Sequence, residues 1–98
     1  MAFKLIFLKE VNTEIENTIN WYEERQENLG NKFYNDLIDN LDYLATNPYM
    51  FRIKFQNLRE MKLSVFPYIV IYEIFEDIVT VHAVFNTSKN PGKKPSKF

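Results

Sequence analysis

The chain has 98 residues, enough for one domain with a single core, and a net charge of −1 from 12 lysines and arginines against 13 aspartates and glutamates. It has no cysteine, one histidine and two glycines, which leaves no disulfide framework, no thiolate or two-histidine metal site, and no glycine-rich phosphate loop. No apolar run approaches the ~20 residues that cross a bilayer, and the opening run lacks a signal peptide's basic head and cleavage site, so the expected setting is the cytoplasm, away from membranes.

"FKLIFL" (residues 3–8) is a short apolar run of strand formers and predicts a covered strand. A helix follows, with Thr13 and Glu16 at capping-box spacing. Ile15, Ile19, Tyr22 and Leu29 form its apolar stripe, with Glu16, Glu23, Glu24 and Glu27 on the opposite face. Gly30 is expected to end it in a left-handed conformation and Asn31 to cap the next helix. In that second helix Phe33, Leu37, Leu41 and Leu44 form the centre line, widened by Tyr34, Ile38 and Ala45. Asp36, Asp39 and Asp42 are placed on its water side, and Asn47-Pro48 stops it.

From Phe51 the period changes to two. Phe51, Ile53 and Phe55 predict a short strand, and Met61, Leu63 and Val65 a one-sided strand. Residues 68–75 and 78–86 form a hairpin turning at Glu76-Asp77. The fold expected is α+β: strand, helix, helix, then three or four antiparallel strands, with the helical hairpin on one face of a twisted sheet. One domain spans residues 1–91, and residues 92–98 form a basic flexible tail.

Charge is divided between the halves. Residues 1–49 sum to −5 and residues 50–98 to +4, a dipole able to orient the molecule toward an anionic partner.

Both strands of the hairpin are apolar on both faces. If Tyr68, Val70, Tyr72 and Ile74 meet the helices, strict alternation leaves Ile69, Ile71, Phe75 and Val84 on the outer face. Covering about 300 Å² of such surface is worth roughly 7 kcal/mol before association costs, so a docking partner is expected there. On this reading Ile71→Lys leaves the fold intact and weakens partner binding, whereas Tyr72→Ala destabilises the core. Arg52, Lys54, Arg59, Lys62, His82, Asn86 and Lys89 form a basic and polar set on or near that face. No paired carboxylates or catalytic triad are legible, and no cofactor is called for.

"WYEE" on the first helix, "LGNKF" at the helix junction, "FPYIVIY" and "VTVHAVFNTSKNP" together resemble the RelE/ParE superfamily of toxins from type II toxin–antitoxin systems. The resemblance runs from about Phe3 to Pro91. It implies a bacterial toxin, in the ParE case a plasmid-stabilization type, neutralised by a cognate antitoxin lying over the toxin; Ile69, Ile71, Phe75 and Val84 are then the candidate antitoxin contacts. ParE-like members bind and poison DNA gyrase, for which Arg59, Lys62, Asn86 and Lys89 are the candidate target contacts. RelE-like members cut messenger RNA on the ribosome without metal, with Lys62, His82 and Lys89 as candidate catalytic groups. A third alternative is a non-toxic binding module held as a homodimer by the same face. The closing segment departs from the histidine and arginine usual in ParE-like relatives, with Asn86 and Lys89 at those positions. From the cutting pattern the chain departs at Ile69, which follows Tyr68 where an arginine is usual, and at Glu60, which stands at a lysine position. Loss of a fixed cation from such a site costs on the order of 10² to 10³ in rate, so the ParE branch is favoured.

Overall fold

The computed structural model describes residues 2–88; Lys89 and the segment read as a tail lie outside them. The elements are β1 (Lys4–Phe7), α1 (Lys9–Arg25), α2 (Leu29–Thr46), a 3₁₀ turn (Pro48–Met50), β2 (Ile53–Phe55), β3 (Leu58–Lys62), β4 (Tyr68–Phe75) and β5 (Ile78–Asn86). They build a five-stranded sheet in the order β1-β5-β4-β3-β2, with the helical hairpin on one face. The last four strands run antiparallel, as expected, and β1 joins parallel to β5. A parallel return needs a long crossover, which the chain between β1 and β5 supplies.

The helix boundaries differ from those read in the sequence. α1 starts at Lys9, one residue after β1, so Thr13 and Glu16 are exposed residues of its interior and form no cap. Tertiary anchoring sets the start instead. Leu8 N–H donates to Val81 O at 3.3 Å, Val11 N–H to Leu8 O at 2.9 Å, and Val11 is fully buried.

Asn28, at φ 70°, is the left-handed residue of the helix junction, so Leu29 belongs to α2 and Gly30 lies within it. Gly30 serves close approach: a Cβ there would stand 2.6 Å from Ile19 O. Glu23, expected to face water, reaches across the junction and accepts from Asn28 N–H at 2.8 Å and Gly30 N–H at 3.0 Å. One carboxylate thereby satisfies two of the donors that a helix start leaves open.

Phe33, Leu37, Leu41 and Leu44 are buried against the sheet, as the stripe predicts. Asp36 is not on the water side. It is 8% exposed, and its Oδ2 accepts from Val65 N–H at 3.0 Å and Phe66 N–H at 2.8 Å. The connection between β3 and β4 brings two N–H groups against α2, and a carboxylate is the acceptor that can serve both. Val65, read as an inward strand residue, lies past the end of β3 and is exposed. Behind this clamp Tyr22, Phe33, Phe66 and Tyr68 pack edge to face or stacked, with centroids 5.0–6.4 Å apart.

Candidate functional site

The face assignment of β4 holds. Tyr68, Val70 and Tyr72 enter the core beneath the helices, while Ile69 and Ile71 form a second cluster with Ala83, flanked by Leu58 and Phe85. The assignment of β5 does not hold along its whole length. Ile71 pairs with Ala83 but Tyr72 pairs with Val81, so His82 is an extra residue in the register, a β-bulge. Beyond it every side chain is on the face opposite to strict alternation. Val84 therefore lies in the helix-side core, and Ala83 and Phe85 take the outer face. The bulge leaves no trace in the sequence because the residues on both sides of it are apolar.

The outer face is also less open than the pattern implies. Ile69 and Ile71 are 7% and 1% exposed, whereas Phe75 is 69% exposed. Leu58 of β3 and Ala83 and Phe85 of β5 pack against the isoleucines from either side, so their burial is achieved within the sheet face itself. The open apolar contributions to this face come from Phe75, from Ile6 across β5, and from Phe55 opposite Leu58 at the far side.

The polar candidates are scattered across the fold. Register places Arg59 opposite Tyr72, on the helix side. Its Nη1 donates to Phe51 O at 2.6 Å, and its guanidinium lies 5.2 Å from the Tyr49 ring centroid. Lys62 is exposed on the outer face opposite Ile69, with Glu60 two residues before it opposite Ile71. His82 Nε2 lies 2.6 Å from Glu73 Oε1. Asn86 Nδ2 donates to Tyr68 OH at 3.1 Å, while its Oδ1 accepts from Ser88 N–H at 2.8 Å. Lys89 lies outside the described residues. Lys62 and His82 stand two strands apart and nearly three residues along, roughly 13 Å between Cα atoms at standard strand spacings. His82 is directed at Glu73, away from the Lys62 row.

Two features were not legible as functional in the sequence. One is a groove of about 530 Å³ between α2 and the β3–β4 connection, lined by Leu29, Lys32, Asn35, Asp39, Val65 and Phe66. The other is the end of the sheet at β2, where Tyr49, Met50, Ile53 and Phe55 are all open to solvent. The sequence held a signal for the second: residues 43–59 contain no acid.

The family model described as "ParE toxin of type II toxin-antitoxin system, parDE" matches residues 5–91. The chain belongs to the ParE toxin family. Among solved structures, a chain of the chromosomal ParDE toxin–antitoxin system from P. aeruginosa superposes with a TM-score of 0.76 at 9% identity, covering 87% of this chain and 96% of that one. The E. coli toxin RelE, in a mutant form in the free state, gives 0.59 at 16% identity, covering 93% and 90%. At such identities these likenesses show the fold alone. No curated protein sequence matches the chain. As a ParE toxin, the protein is one component of a type II toxin–antitoxin system, and that family implies a cognate antitoxin as partner. No helix among the described residues is long and apolar enough to cross a membrane.

Proposed function

We propose that this ParE toxin acts by binding a protein target, DNA gyrase, and that its antitoxin neutralises it by lying over the outer sheet face. The observation that carries the reading is the dispersal of the candidate groups among the described residues. Acid–base cleavage needs a donor and an acceptor within about 3 Å of one reacting group. Arg59 is held on the helix side by Phe51 O, His82 is engaged by Glu73, and Lys62, on the opposite face of Arg59's own strand, stands two strands from His82. Glu60, on the same face as Lys62, adds negative charge where a ribose phosphate would have to lie. Among the described candidate target contacts, Arg59, Lys62 and Asn86, Lys62 is the most open; Lys89, outside the described residues, completes the set. For the antitoxin, Phe75 offers the exposed anchor on the face floored by Ile69 and Ile71.

The test is a supercoiling assay with purified gyrase and toxin, run beside a translating extract whose RNA ends are mapped. Inhibited supercoiling, relieved by Lys62→Glu and by added antitoxin, with no new RNA ends, is the expected result. Unchanged supercoiling with cuts at translated codons would overturn it.

A further inference from the structure

Much of the open apolar surface among the described residues lies on the 3₁₀ turn and on β2, which follows it. Tyr49, Met50, Ile53 and Phe55 are 63%, 67%, 48% and 40% exposed. Among the described residues β2 is the last strand of the sheet and pairs only with β3, so one side of it presents N–H and C=O groups that no described strand takes up. Ile53 lies opposite Arg59 and Phe55 opposite Leu58, neighbours on β3 that point to opposite faces. The edge therefore carries an apolar side chain on each face of the sheet. Arg59, anchored on Phe51 O and set beside the Tyr49 ring, ties the preceding 3₁₀ turn to the same edge.

Charge along residues 43–59 has one sign. Arg52 and Lys54 are exposed on or beside β2, and residues 43–59 contain those two, Arg59 and no acid. Short length, a register irregularity and cationic side chains are the usual guards of an edge strand against pairing with its own kind, and β2 has all three. Guards of this sort are selective. Two copies of a cationic edge repel, whereas an acidic strand meets complementary charge.

We propose that the β2 edge is a docking site for an extended acidic segment of a partner protein. The segment pairs with β2 as a sixth strand, sets apolar side chains against Ile53 and Phe55, and brings carboxylates to Arg52 and Lys54. This site is separate from the outer-face centre, and the proposal does not depend on which target the toxin has.

Fluorescence anisotropy on the full chain tests it, with a labelled octapeptide of alternating glutamate and valine, its lysine–valine counterpart, and an eight-nucleotide oligouridylate. The acidic peptide is expected to bind about tenfold or more tighter than the basic one, more weakly as salt rises, and to protect the amides of residues 53–55 from hydrogen exchange. Arg52→Glu with Lys54→Glu should reverse the preference. Should that pair lower the melting temperature, Lys54→Gln alone should weaken the acidic peptide several-fold. Equal binding of the two peptides, or protection confined to residues outside β2, would overturn the proposal. So would tighter binding of the oligouridylate through Arg52 and Lys54, which makes the edge a nucleic-acid surface. Self-association abolished by Phe55→Glu would instead assign the edge to a second copy and overturn it too. A negative gyrase assay leaves each of these outcomes readable.

Discussion

At Gly30 a single methyl group would reach to 2.6 Å from the Ile19 carbonyl oxygen, too close for a real contact, and to a tight 3.1 Å from its Cγ2. Gly30→Ala gains helix propensity of about 1 kcal/mol, yet it must force α1 and α2 apart where Glu23 bridges them. The net result expected is destabilisation by about 1–3 kcal/mol, the usual range for overpacking, read as a lower urea midpoint at unchanged slope. A stabilised Gly30→Ala protein would show that the hairpin has room to spread. Asp36 illustrates the same scale differently. Its periodic position marks a surface residue, and only the two amides that arrive from Val65 and Phe66 make burial of its carboxylate favourable.

Among the elements, β4 and β5 show how far alternation reaches. It sorts Tyr72 from Ile71 correctly, but it leaves Ile71 for solvent, and Ile71 is buried between Leu58 and Ala83. A lysine at that position is enclosed without a partner, so Ile71→Lys and Tyr72→Ala should each cost about 3 kcal/mol or more in thermal or chemical melts. Phe75→Lys should change stability little, since Phe75 is already open. Loss of antitoxin binding in Phe75→Lys with an unchanged melt would support the outer face as the antitoxin site; undiminished binding would count against it.

For the molecule as a whole, two buried or half-buried phenols link the helices and the 3₁₀ turn to the sheet. Tyr72 OH donates to Pro48 O at 2.6 Å, and burial pushes its pKa up to about 12 against the opposing pull of the Arg59 charge. Tyr22 is pushed up to about 12 as well, by burial first and then by its hydrogen bond to Tyr68. The fold favours both neutral phenols, so the unfolded chain loses its protons first. Their contribution is complete below the unfolded pKa near 10 and declines as pH rises from about 10 to about 12. Stability measured by denaturant should fall over that window. Tyr72→Phe should start about 1 kcal/mol lower, because Pro48 O loses its donor, and then fall less steeply. Equal slopes for the two proteins would mean that Tyr72 does not carry the alkaline transition.

Element order, the buried stripe of α2, the sidedness of β4 and the family likeness were all determined by the sequence, because each is written in local periodicity or in short motifs. Residues three or four apart on a helix, or two apart on a strand, share a face whatever lies opposite. The start of α1, the inward turn of Asp36, the bulge at His82 and the closure over Ile69 and Ile71 were decided only by tertiary structure. Each depends on which atoms another segment brings alongside: Val81 O at Leu8, two amides at Asp36, the register of β4 at His82, and Leu58 with Phe85 beside the isoleucines. Contacts between distant segments have no period along the chain, and for that reason the most exposed apolar edge lies at β2 rather than on the face where alternation alone would put it.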